Sequence, residues 1–213
     1  SYISTTRQKI VEVIFTSSKS HMGGQYQFLM DYLTFLVHYF LLASCVSVMV
    51  AIFTVTRKIT LFSLHPVFLT IGVFLFIAEG LIVARNKILI NFFSPIMQSS
   101  QKRKLRNLHA TLQITGSVFL FLGLVSILSH KVEIGKSLFP MTAHSLVGTV
   151  ALAAVVTLVW AGRIKIATME ISNTKVMKWH GDLGLLVFDL LVLSSLLGIF
   201  SFFGSKQFFY IVN

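Results

Sequence analysis

The chain has 213 residues, of which 55% are hydrophobic and only 12% charged, against roughly 25% charged in soluble domains. With a mean hydropathy of +0.82, this composition excludes an ordinary water-soluble domain and predicts an all-α, polytopic membrane helix bundle. The formal charge of +11 does not mark a nucleic-acid surface, because the basic residues are confined to loops between apolar runs. The single cysteine, Cys45, excludes an intrachain disulfide.

In chain order, residues 1–27 form a polar arm with a weak amphipathic pattern around Ile10, Val11, Val13 and Ile14. The sequence assigns them no function beyond a short interfacial helix or a mobile segment. The transmembrane domain is expected over 28–213. A span needs about 20 mostly apolar residues, and five stretches qualify: 28–55, 64–84, 105–128, 141–160 and 183–203. A further apolar run opens at Phe208, so the expectation is five spans plus the start of a sixth.

The basic residues predict an orientation. The arm carries Arg7, Lys9 and Lys19. The second-to-third loop carries Arg85, Lys87, Lys102, Arg103, Lys104 and Arg106, and the fourth-to-fifth loop carries Arg163, Lys165, Lys175 and Lys178. The other side has only Arg57, Lys58, Lys131, Lys136 and Lys206. The excess of Lys and Arg places the first group, and the N-terminus, in the cytoplasm.

Spans two to five form a loose repeat, because each opens with a histidine: His65, His109, His144 and His180. Consecutive spans run in opposite directions. His65 and His144 therefore fall on the outer side, His109 and His180 on the cytoplasmic side. Two imidazoles facing each other inside a helix bundle suit the two axial positions of a haem iron. Two such pairs imply two haems stacked across the membrane. A lone histidine near an interface is more often a polar anchor than a ligand, but four at matched depth outweigh that reading, since ionisable groups in a membrane are costly and usually functional. Zinc spacing is absent: there is no His-x₃-His in a span and no Cys-x-x-Cys.

Each histidine also heads a stripe of small residues. Gly72 and Glu79 follow His65 at seven-residue spacing, Gly116 and Gly123 follow His109, Gly148 and Ala151 follow His144, and Gly184, Ser194, Ser195 and Gly198 follow His180. Such stripes serve helix packing or make room for a flat macrocycle. Glu79 lies 14 residues past His65, roughly 21 Å deeper, where it reaches the level of the cytoplasmic pair; bonding a ligand's second ring nitrogen and pairing with Arg85 are both open to it. His130 lies 21 residues past His109, roughly 32 Å away, at the outer mouth beside Lys131. His38 reads as a bundle residue, His21 carries no signal, and Asp189 is a second intramembrane acid with no assigned role.

These residues resemble the cytochrome b561 family. The resemblance rests on Ser63-Leu64-His65-Pro66-Val67, on the basic approach Lys104-Leu105-Arg106-Asn107-Leu108-His109, and on His130-Lys131, Ala143-His144-Ser145 and Trp179-His180-Gly181 in the same order. It covers about Leu61 to Gly204. It implies a six-helix bundle with two b haems and an ascorbate-dependent transmembrane oxidoreductase. Electrons would pass from cytoplasmic ascorbate to monodehydroascorbate or a ferric chelate on the far side. His65 and His144 would hold the outer haem, His109 and His180 the inner. Arg103, Lys104 and Arg106 would bind ascorbate, with Lys175 and Lys178 completing the pocket, although Asn107 stands where the family is often basic. His130 and Lys131 would meet the outer acceptor. Membrane lipid surrounds the bundle and a homodimer is compatible with it; the sequence does not choose between an endomembrane vesicle, lysosome, endoplasmic reticulum and plasma membrane. Two rival readings stand beside this one: a histidine-lined metal permease, and a haem-anchoring subunit that passes electrons to a partner protein.

Overall fold

The computed structural model describes residues 32–33, 35–85, 101–172 and 176–212. Every regular element among them is helical. The chain divides into two compact units, Ser1–Phe40 and Leu41–Asn213. Of the first unit, only the opening turns of one helix fall within the described residues. The contacts described below lie within the second.

Five helices are long and apolar enough to cross a membrane. They are α1 (Phe35–Thr56), α2 (Leu61–Ala84), α3 (Arg103–Glu133), α4 (Ala143–Ser172) and α5 (His180–Phe202). As backbone, α3 begins at Gln101. Likewise α5 runs on to Val212, so residues from Phe208 continue its helix. The polar arm and the loop of residues 86–100 lie outside the described residues.

Local chemistry sets the helix ends. After α1, Arg57 turns left-handed at φ 51° and Thr60 opens α2 with a capping box. Its hydroxyl accepts from the Ser63 backbone N–H, and the Ser63 hydroxyl accepts from the Thr60 N–H. The same Thr-x-x-Ser device opens α4 at Thr142 and Ser145. Each box satisfies backbone donors that a helix start leaves orphaned, a contribution of about 1 kcal/mol. The end of α3 is a Schellman turn: Gly135 sits at φ +66°, Lys136 N–H bonds Lys131 O and Gly135 N–H bonds Val132 O.

The centre of α2 departs from α geometry. Ile71–Ile77 forms a π-helical stretch, a wider turn that concentrates at functional sites. Helix α2 is also the most enclosed span, 44% buried against 17% for α4 and α5. Around it lies one buried apolar cluster: Val73 and Ile77 from α2, Leu120 from α3, Ala151 and Val155 from α4, Val187 and Leu191 from α5. Large apolar side chains such as Phe121, Val156, Trp160 and Phe200 are exposed. In a membrane protein these meet lipid, which accounts for a surface no soluble domain would carry.

The α2–α3 crossing is a close one. A Cβ added at Gly72 would lie 3.0 Å from the Gly116 carbonyl oxygen, and one at Gly116 would lie 3.1 Å from that of Gly72. These two glycines of the small-residue stripes therefore serve backbone approach.

Candidate functional site

The four span-opening histidines segregate into two layers. At one end, the rings of His65 and His144 have centroids 6.2 Å apart, with an interplanar angle of 76°. At the other, His109 and His180 line one cavity of about 270 Å³. The helices themselves give the separation of the layers. His65 bonds α3 at Gly123 and His109 bonds α2 at Gly80. Fifteen residues along α2 and fourteen along α3 therefore each measure the gap, at roughly 21 Å. The buried apolar cluster lies along that interval.

Three of the rings are held in the same way. The Nδ1–H of His65 donates to the Gly123 carbonyl at 2.8 Å. That of His109 donates to Gly80 at 2.7 Å, and that of His144 donates to Ser194 at 2.8 Å. A carbonyl only accepts, so the proton sits on Nδ1 and the lone pair on Nε2. This arrangement fixes tautomer and ring direction in metal-binding histidines. At His109 the second ring nitrogen is occupied by the Gly80 carbonyl. Gly123 and Ser194 each lie 14 residues past the histidine that opens their helix, so the α4–α5 pair repeats the α2–α3 device.

The fourth ring breaks the pattern. Nδ1 of His180 is buried with no hydrogen-bond partner. Nε of Arg106, on the same cavity wall, is also buried and unpartnered. Buried polar atoms without a partner are uncommon, and these two belong to residues that line one cavity.

Glycines in the second helix pair shape space for imidazoles. A Cβ at Gly198 would sit 2.9 Å from Cε1 of His144, and one at Gly162 would sit 3.2 Å from Cε1 of His180. Gly148 faces the Ser194 hydroxyl instead, and Gly184 has ordinary contact with Leu81.

The donor set fits haem. Two metal–imidazole bonds of about 2 Å, with each ring centre about 1 Å behind its nitrogen, place the ring centres about 6 Å apart, as His65 and His144 are. No cluster of three His, Cys, Asp or Glu side chains suited to a metal ion occurs among the described residues. A haem iron needs only two protein ligands, because the macrocycle supplies the rest.

The basic residues divide. Arg106 lines the His109–His180 cavity, joined by Arg163 and Lys165. In the sequence those last two bear only on orientation. They sit 17 and 15 residues before His180, and only the turn-back of α5 on α4 brings them to it. Arg103 and Lys178 are exposed and Lys104 is half-buried; none of the three lines the cavity. Lys175 lies outside the described residues. A further polar side chain that carries no sequence signal is Gln113, whose amide N–H donates to Ile77 O at the end of the π stretch, at 3.0 Å.

At the opposite end, the His130 ring lies 5.6 Å from that of Phe62, one turn before His65. Its Nδ1 is 3.7 Å from Glu133. Asp189 is exposed on α5.

A family model for eukaryotic cytochrome b561 matches residues 64–205, a stretch that contains all four histidines and His130. No curated protein matches the chain.

Proposed function

The chain belongs to the eukaryotic cytochrome b561 family, and from that premise we propose that it carries single electrons from ascorbate at the basic end to monodehydroascorbate or a ferric chelate at the other. Membership makes it a haem-binding transmembrane oxidoreductase. The finer reading is two b haems, one between His65 and His144 and one between His109 and His180. The basic end faces the cytoplasm by the excess of Lys and Arg there. The observation that carries the reading is the common treatment of the histidines: pairing in two layers, with three of four Nδ1 protons bound to backbone carbonyls.

Bound between such a pair, haem would supply a one-electron redox centre, with the potential set by the imidazoles that hold it, their hydrogen bonds and their burial. The chain's own residues supply the rest. The Gly123, Gly80 and Ser194 carbonyls draw on the imidazole protons and make the opposite nitrogens better ligands. Val73, Ile77, Leu120, Val155 and Leu191 keep water out of the interval between the layers. Arg106, Arg163 and Lys165 give the cavity a positive wall suited to carboxylate or enolate oxygens. Arg103, Lys104 and Lys178 add positive charge around the same end and draw ascorbate to it, with Lys175 next in sequence to that group. Opposite, His130 and Lys131 stand where an anionic acceptor would arrive.

The purified protein is expected to show reducible b-type bands at two haems per chain, reduced by ascorbate with no partner protein. His109→Ala should lower haem content from two to one and slow ascorbate reduction at least tenfold. Retention of both haems and of the rate by that variant overturns the ligand assignment. Absence of any chromophore overturns the haem reading itself.

A further inference from the structure

Among the four span-opening histidines, His180 is the one whose Nδ1 has no hydrogen-bond partner, yet the backbone just before it is held. The Met177 carbonyl oxygen accepts twice: from the His180 backbone N–H at 3.2 Å and from the Lys165 ammonium at 3.1 Å. Met177 itself sits at φ 50°, a left-handed conformation that a residue with a long side chain adopts only where its surroundings enforce it. The Met177 carbonyl is held from another helix. Lys165 is on α4, twelve residues back, and its charged donor fixes the carbonyl from which α5 starts. Charge-assisted bonds of this kind are roughly twice as strong as neutral ones.

We propose that Lys165 is the positioning residue of His180, doing through the backbone what Gly123, Gly80 and Ser194 do directly for the other three rings. The tether sets where the first residue of α5 stands, and Gly162 on α4, one turn before Lys165, leaves the space into which the ring fits. Lys165 thus joins α4 to the start of α5 at the one histidine that lacks a carbonyl acceptor on a neighbouring helix.

The proposal rests on the reading of His180 as a haem ligand, and the test separates the two. Wild-type protein, Lys165→Met, Lys165→Arg and His180→Ala are purified in detergent. Each is measured for haem per chain and for the low-spin ferric electron paramagnetic resonance signals of its haems. If wild type lacks two such signals, or His180→Ala keeps both, the ligand reading fails and the tether with it. If the ligand reading holds, Lys165→Met should change or lose the one signal that His180→Ala removes, and leave the other as an internal control of folding. Haem at that site should dissociate several-fold faster. Lys165→Arg, which keeps a charged donor of similar reach, should restore both signals. Wild-type signals in Lys165→Met overturn the tether, and so does failure of the Arg variant to rescue. If Lys165→Met does not assemble, Lys165→Gln is compared with Lys165→Arg. The shorter, neutral donor should lose the signal that Arg keeps, and equal behaviour of the two overturns the proposal.

Discussion

The helix pairs α2–α3 and α4–α5 present the same histidine pattern and build it differently. Seven residues past the opening histidines, α2 and α3 have Gly72 and Gly116, whose backbones nearly touch. At the same register, α4 and α5 have Ala151 and Val187, both buried in the apolar cluster. In the first pair both rings reach across: His65 bonds α3 and His109 bonds α2, a reciprocal lock. In the second only His144 makes that reach, and His180 depends on Lys165 and the turn before it. Ligand geometry is therefore held by two reciprocal ring-to-carbonyl bonds in one pair, and by one such bond and one lysine tether in the other. Added bulk at the first crossing should therefore disturb both sites together, and added bulk in the second pair one site at a time.

The largest effect should come from bulk at the close crossing. A Cβ at Gly116 would already lie 2.7 Å from Ile77 and 3.1 Å from the Gly72 carbonyl, and a backbone oxygen does not yield as a side-chain tip does. Gly116→Leu is expected to cost about 3 kcal/mol or more. It should part α2 from α3 and abolish both haem sites, because each holds one ligand from that pair. Haem content near zero in a protein that still inserts into membranes is the result to look for; loss of one haem alone would refute the reciprocal lock.

A smaller and site-confined effect should follow in the second pair. Gly198→Ala places a methyl 2.9 Å from the His144 ring, which must then leave its 2.8 Å bond to the Ser194 carbonyl. That lost bond is worth about 1 kcal/mol, and the signal of the His65–His144 haem should shift while the other stays. Gly162→Ala presses less on His180, at 3.2 Å, and breaks no ring bond. Its effect on the other haem should be the weaker of the two, as read in the same spectra. The opposite ranking would break the contrast between the rings.

Much of this was legible in the sequence for physical reasons. Runs of some twenty apolar residues have one stable form in a bilayer, so the five spans followed. Antiparallel succession fixed which histidines share a layer. The stripes of small residues were visible, but their use was not: whether a glycine meets a carbonyl, as at Gly72, or an imidazole, as at Gly198, depends on helix rotation, which sequence spacing leaves free. The acceptors of the ring protons were hidden for a related reason. Carbonyls belong to every residue and carry no sequence signal, so Glu79 stood out while Gly80 did the bonding. The π stretch at Ile71–Ile77 has no local signature either. Nor has the approach of Arg163 and Lys165 to His180, which only the return of α5 along α4 creates.

The smallest effect on the fold should come from His130, and it bears on which end receives electrons. Its contact with Glu133 spans 3.7 Å, with the carboxylate partner 66% exposed, so the pair is worth at most about 1 kcal/mol. Its ring stacks obliquely on Phe62, which itself stacks on Phe202 from α5, so losing the imidazole leaves that aromatic contact in place. His130→Ala should therefore keep two haems, the wild-type spectra and the wild-type rate of reduction by ascorbate. What should fall, by several-fold, is the rate at which the reduced protein passes electrons to monodehydroascorbate or a ferric chelate, because that end then loses a side chain able to hydrogen-bond the acceptor. Stopped-flow mixing separates the two half-reactions. A slowed ascorbate step with an unchanged acceptor step would reverse the direction assigned to the two ends, since His130 lies about a full membrane thickness from the Arg106 cavity.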